Sequence, residues 1–227
     1  RLAETLGIAQ GESLTAVAQS LARSRKDGEL SRREVDMVVP VPGALPLTLV
    51  RSYDSFEDKD AGSGRGWSAE PLTLRFPLVK TRLTFGPEQE ELFVHTKAFV
   101  KDRERGEEQV FEFYGVDRDD HPLYLRQGGA DWLRELPDET FELYRPDRFL
   151  TVRFAADGQV LSQRDANGQT LAYTYDAGVL SRIDHSSGRS VTLSAGGGRV
   201  REGTDGLGRS VDYDYDGNGR LIAATQQ

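Results

Sequence analysis

The sequence predicts an all-β fold: an antiparallel sheet of repeated β-hairpins, with a β-rich domain and a short N-terminal α-helix before it. Three observations carry that prediction. Gly158, Gly178 and Gly198 stand twenty residues apart, as do Gly168, Gly188 and Gly208. From Glu34 onward, apolar residues alternate with polar ones at period two. Turn residues interrupt these runs about every ten to fifteen positions.

Residues 1–30 read as helical, best from about Ser13 to Lys26. Ser13 is the N-cap, Arg23, Arg25 and Lys26 crowd the last turn where cations suit the helix dipole, and Gly28 is the stop. The apolar face of such a helix needs a partner, so the segment reads as a plug or cap on a sheet edge, or as a linker. Val35, Met37 and Val39 then alternate with Asp36 and Val38 until Pro40 and Pro42 end the run. After the Gly43-Ala44 turn, Leu47, Leu49 and Arg51 alternate with Thr48, Val50 and Ser52, running into Tyr53. Residues 54–66 form a polar, Gly-rich loop. Trp67 reopens order, and Leu72, Leu74 and Phe76 share one face of the next strand. Further strands are expected near 82–86, 90–95, 109–114, 122–126, 131–135 and 140–144, with the mixed-charge stretch 101–108 as a hairpin tip.

From residue 149 the chain repeats itself in four units of about twenty residues. The second unit shows the plan. Leu171, Tyr173 and Tyr175 lie on one strand face, Asp176 and Gly178 supply a turn with positive φ, and a short strand returns to a second glycine turn at Ser187-Gly188. The fourth unit repeats Val211, Tyr213, Tyr215 and Asp216, with one extra residue before Gly219. The third carries Ala195-Gly196 where Tyr-Asp would stand, which predicts a looser turn. One hairpin is too small to be stable alone, so stability must come from stacked neighbours. The organisation expected is therefore a helix over 1–30, a β-rich opening domain over 31–148 and hairpin repeats over 149–227.

Composition narrows the function. Hydrophobic residues make up 37% and charged residues 29%, with 24 glycines, which fits short strands and many turns. A net charge of −8 argues against nucleic acid or an anionic membrane as the main partner. The short basic runs Arg23-Ser24-Arg25-Lys26 and Arg32-Arg33 are broken by acids and read as solvated ends and turns. With no cysteine there is no disulfide framework, thiol nucleophile or Cys-based zinc site. No apolar run approaches the ~20 residues that span a bilayer. The start at Arg1-Leu2-Ala3-Glu4, without initiator Met or signal peptide, fits a segment of a longer polypeptide.

The strings Tyr173-Thr174-Tyr175-Asp176-Ala177-Gly178-Val179-Leu180 and Tyr213-Asp214-Tyr215-Asp216-Gly217-Asn218-Gly219-Arg220-Leu221 resemble the Y-x-Y-D-x-x-G-x-L core of the YD repeats in Rhs-family proteins. Asp165-Ala166-Asn167-Gly168 and Asp205-Gly206-Leu207-Gly208-Arg209 match the D-x-x-G element that precedes the next strand. Upstream, the stretch 38–53, with Pro42, Gly43, Pro46, Leu47, Arg51 and Tyr53, followed by Gly64-Arg65-Gly66-Trp67-Ser68, is similar to the opening domain placed before the repeats in bacterial Rhs proteins. The resemblance covers about residues 31–227. It implies a β-sheet that spirals into a hollow shell around a toxic C-terminal domain, in effectors secreted or delivered against neighbouring cells, for instance by type VI secretion. The partners it implies are the rest of the same chain and a secretion-apparatus spike or chaperone. Four repeats do not close a cage, and nothing here matches the family's self-cleaving aspartate motif.

Asp212, Asp214 and Asp216 with Gly217 have the spacing of the front half of an EF-hand calcium loop, but its closing glutamate would fall on Ala223. Strand alternation reads them instead as an acidic face opposite an inward tyrosine face. His95, His121 and His185 form no metal or protease motif, and Gly62-Ser63-Gly64-Arg65-Gly66 lacks the central serine of a nucleophile elbow. The sequence thus predicts no enzyme and no cofactor. Trp67, Trp132 and the tyrosines leave open a carbohydrate- or protein-binding module, although tyrosines set by strand period are commonly core.

Overall fold

In a computed structural model the chain is described over residues 31–57, 60–77, 80–85, 90–103 and 105–227. The helix expected over residues 1–30 lies outside these, as does most of the Phe85–Glu88 turn. Every regular element among the described residues is a strand. The first three are β1 (Ser31–Val39), β2 (Leu47–Asp54) and β3 (Trp67–Ser68). Next come β4 (Leu72–Arg75), β5 (Thr81–Phe85), β6 (Glu90–Val94), β7 (Lys97–Asp102) and β8 (Glu107–Val116). The run continues with β9 (Pro122–Arg126), β10 (Trp132–Glu135), β11 (Phe141–Arg145), β12 (Leu150–Phe154) and β13 (Val160–Arg164). The repeats supply β14 (Thr170–Asp176), β15 (Val179–His185), β16 (Ser190–Gly196), β17 (Arg199–Asp205), β18 (Ser210–Tyr215) and β19 (Leu221–Gln226). The expected strands are present within a residue or two, and β7 is one that alternation did not single out.

Packing divides the described residues into two compact units, one of residues up to 71 with 171–227 and one of residues 72–170. This division follows packing, whereas the expected boundary at 148 follows the repeat period. In the second unit β4 pairs with β7, and β7 to β13 then pair in chain order, all antiparallel. A cross-strand row of Tyr124, Leu133, Leu143 and Val152 runs through its core, each fully buried. Deep in the same unit Arg145 forms an ion pair with Asp102 at 2.8 Å and donates to Gln109 at 3.1 Å. The β12–β13 turn approaches β4 so closely that a Cβ on Gly158 would stand 1.8 Å from the Leu74 carbonyl oxygen, which leaves room for glycine alone.

In the first unit β14 to β19 form an antiparallel meander of adjacent hairpins, and β1, β2 and β3 form a small antiparallel sheet. Leu47 and Leu49 of β2 are fully buried, and Leu49 packs where a side chain on Gly203 of β17 would otherwise stand. Two sheet faces therefore share one core, as stacked β layers do.

Period two is broken at regular points. In β1 the pairs Val35↔Val50 and Met37↔Leu49 leave Asp36 as an extra, bulged residue. The bulge turns Asp36 inward with Met37 and Val39 and leaves Val35 exposed, so the simple alternation from Val35 to Val39 does not hold. Each repeat hairpin has its own bulge, with Leu161, Ser181, Arg201 and Ile222 as the unpaired residues. After Leu180, Ile183 and His185 are consequently the next buried positions, three and then two residues on.

The third unit does not have the looser turn expected of it. Gly197 and Gly198 have φ of 64° and 79°, against 48° and 81° for Ala177 and Gly178 in the second. Both hairpins close through a two-residue turn with positive φ at both centres, the geometry that suits strand twist. Gly197 meets that demand better than Ala177 does, and the missing Tyr-Asp pair at 195–196 lies outside the turn centres.

Candidate functional site

The residues singled out before the repeats and those within them meet in the first unit. The inward bulge of β1 points Asp36 at Arg51 of β2, whose Nη2 donates to Asp36 Oδ1 at 2.7 Å while its Nε reaches Oδ2. Tyr213 of β18, 177 residues away in sequence, donates its hydroxyl proton to Asp36 Oδ2 at 2.8 Å. The Arg51 guanidinium lies 4.9 Å from the ring centroid of Trp67 and 5.1 Å from that of Tyr213. It is thus held in plane by a carboxylate and covered by aromatic faces, which suit a cation.

The electrostatics follow from burial. Burial opposes the Arg51 charge, but its hydrogen bond to Asp36 and the charge beside it hold its pKa above the ordinary value. Burial, then the Asp36 charge, pushes the Tyr213 hydroxyl far above the usual tyrosine range. The group is therefore an ionic lock rather than a reactive centre. Neither the Arg51 nor the Tyr213 proton is available near neutral pH.

A second clamp lies beside it. Asp60 Oδ1 accepts from the backbone N–H of Gly62 and Gly64, each at 3.0 Å, while its Oδ2 accepts from Arg199 of β17 at 2.8 Å. The Gly62 carbonyl accepts from the Val200 N–H at 2.7 Å. The loop read as polar and Gly-rich is thus fastened to the repeat sheet. Tyr215 donates to the Val200 carbonyl at 2.8 Å, and burial pushes its pKa up to about 12.

The other singled-out residues fall as follows. Tyr53 pairs across the strands with Trp67, their rings 5.3 Å apart, and Gly66 sits where a Cβ would meet the Tyr53 ring. Gly43 has a φ of 92° in the β1–β2 turn, with Pro42 and Pro46 exposed on either side of it. Tyr173 is buried, Tyr175 and Tyr215 are half-buried, and Asp176 is exposed beside the turn that Gly178 completes.

The aspartate series does not assemble. Asp216 Oδ1 accepts from the N–H of Asn218 and Arg220 at 2.9 and 2.8 Å, capping the last turn, Asp212 accepts from Gln227, and Asp214 is exposed. Among the described residues, Asp117, Asp119 and His121 are the acid and histidine ligands that come within 4.8 Å of one another. Their arrangement is a turn of the same kind as that at Asp216, since Asp117 Oδ1 accepts from the N–H of Asp119 and His121.

Sequence reading found the D-x-x-G spacing of that turn but missed the capping role of its aspartate and its recurrence upstream. At Asp165, Asp205 and Asp216 the first residue accepts from the N–H two and four positions on, and a glycine takes the positive φ. His185 stands in for the carboxylate in the second unit, its Nδ1 accepting from the Ser187 N–H at 3.0 Å. The hydrogen-bonding pattern recurs upstream at residues 117–121 and, in its backbone part, at 136–140. There Asp120 (φ 63°) and Glu139 (φ 61°) occupy the glycine position. The aspartate was the available signal; the missing glycine hid it.

Residues 156–192 match the family described as RHS Repeat. Over that stretch the chain is similar to the repeats of Rhs/YD-repeat proteins. The matched stretch holds the β12–β13 turn, strands β13 to β15 and the start of β16. The repeat is a structural module here: Tyr173 and Tyr213 are core, Tyr175 and Tyr215 are half-buried, and the motif glycines form the turns. No curated protein matches the chain.

Proposed function

We propose that this chain is a wall segment of an Rhs/YD-repeat shell that encloses or presents a C-terminal toxin domain in a secreted or contact-delivered bacterial effector. The observation that carries this reading is the lock of Asp36, Arg51 and Tyr213. It fastens the opening residues to the fourth repeat unit and so anchors the first stretch of a sheet to which further hairpins can be added. Its partners are then the rest of its own polypeptide and a secretion spike or chaperone, and its place is outside the producing cell or at its surface. The chain's own work is mechanical support, not catalysis.

The test uses the full-length parent protein and limited proteolysis. Protection of the C-terminal domain in the parent, lost when Arg51 is replaced by Met, is the expected result. Digestion of that domain in the parent as fast as when it is free would sink the shell reading. A second reading, a carbohydrate- or protein-binding surface module, draws on the half-buried Trp132 and Tyr144, whose rings stand 5.5 Å apart on paired strands. Saturable binding on a glycan array, abolished by Trp132→Ala, would favour it.

A further inference from the structure

We propose that a cavity in the second unit binds an organic cation, a guanidinium or ammonium group. This goes beyond the shell reading and does not depend on it. The cavity, about 580 Å³, opens between the end of β4, His95 and the turns after β10 and β12. That volume is in the range of small-ligand sites.

Its wall is aromatic. The Phe76 ring stacks against His95, with centroids 4.5 Å apart and planes at 29°, and lies 4.6 Å from Phe141. Glu135 supplies the charge. Its Oε2 is shielded from solvent and accepts no hydrogen bond. Its one ionic neighbour, Lys80 Nζ, stands 3.9 Å from Oε1, outside hydrogen-bonding distance. A carboxylate oxygen withdrawn from water without a donor is costly, and a donor brought by a ligand removes that cost.

The remaining charges select the sign. Glu139 and Asp157 stand exposed at the rim. Arg75 is already engaged, paired through two hydrogen bonds with Glu108 and stacked 4.1 Å from the Phe99 ring. Among the described residues that line the cavity, three carboxylates therefore face Lys80 as the one cation not otherwise engaged. An anion meets the wrong field, and a neutral ligand leaves Glu135 without a charged donor. A cation with an N–H satisfies the carboxylate and lies against the electron-rich ring faces. Tyr124 belongs to the same interior, its hydroxyl raised above its usual range by burial and then by the Glu135 charge.

The group can arrive on a basic peptide or as a free amine. Calorimetric titration of the whole chain with an N-acetylated, C-amidated arginine tripeptide and, separately, with spermidine distinguishes the two, the tighter binder naming the source. Saturable binding of one of them is expected, weakened roughly tenfold by Glu135→Gln and several-fold by Phe76→Leu. Lys80→Ala, which removes the internal competitor, should tighten it several-fold. Thermal melts of each variant verify folding. No saturation by either probe up to about 10 mM overturns the proposal. So does binding that Glu135→Gln and Phe76→Leu both leave unchanged, which would mean general attraction to an acidic surface. A loss of stability in Lys80→Ala without tighter binding would make Lys80 the permanent partner of Glu135 and overturn it as well.

Discussion

Asp36 is a charged residue carried into the core by one unpaired position in β1, and its surroundings explain why it stays there. Two donors of Arg51 and the hydroxyl of Tyr213 satisfy it. Removing one partner of a buried pair leaves the other uncompensated, so Arg51→Met should cost about 3–5 kcal/mol in urea unfolding. Replacing both charges, in Asp36→Leu with Arg51→Met, should recover most of that loss, because matched apolar groups substitute well for buried ion pairs. A double variant no better than the single one would show that the pair does more than satisfy itself. Ala177 gives the opposite case. It holds a φ of 48°, where a Cβ is unfavourable, so Ala177→Gly should stabilise the chain by about 1 kcal/mol, seen as a raised melting temperature.

At the level of elements, the recurring capped turn carries a pH dependence. Burial works to raise the pKa of Asp205, but the side-chain hydrogen bond from Arg209 and the N–H groups of Arg209 and Leu207 bring it below the ordinary 3.8. Asp117 is likewise lowered, the N–H groups of His121 and Asp119 and the Arg134 side chain outweighing burial. A carboxylate with a depressed pKa stabilises the fold above its unfolded value and loses that contribution as pH falls through the native one. Urea midpoints should therefore hold down to about pH 4 and drop below it, and Asp205→Asn should flatten the drop. The strands, their antiparallel order and the twenty-residue period were legible because alternation and glycine punctuation are local signals. The bulges were not, since Asp36 and Ser181 look like any outward polar residue until their pairing partners are known. Nor was the recurrence of the turn at residues 117–121, where Asp120 does the work of glycine.

For the molecule as a whole, what escaped the sequence was distance. The opening motif and the repeats were each recognisable, but nothing in either announced that Arg51 and Tyr213 would share a carboxylate. The acidic series at 212–216 shows the converse: a suggestive spacing is dissolved when a turn takes Asp216 away from Asp212 and Asp214. Treatment with EDTA should accordingly leave the melting temperature unchanged, and a fall would return calcium to the argument.

The lock also sets how the first unit responds to being pulled. Hairpins joined end to end yield under tension like a zip, a few hydrogen bonds at a time. In this chain the Gln226 side chain donates to the Asp36 carbonyl at 2.8 Å, so the last strand lies beside the first. A load that parts β1 from β19 falls on that contact and on the carboxylate shared by Arg51 and Tyr213 before any repeat can peel. Unravelling of the first unit is thus gated by a few side-chain contacts far apart in sequence rather than by the hairpins one at a time.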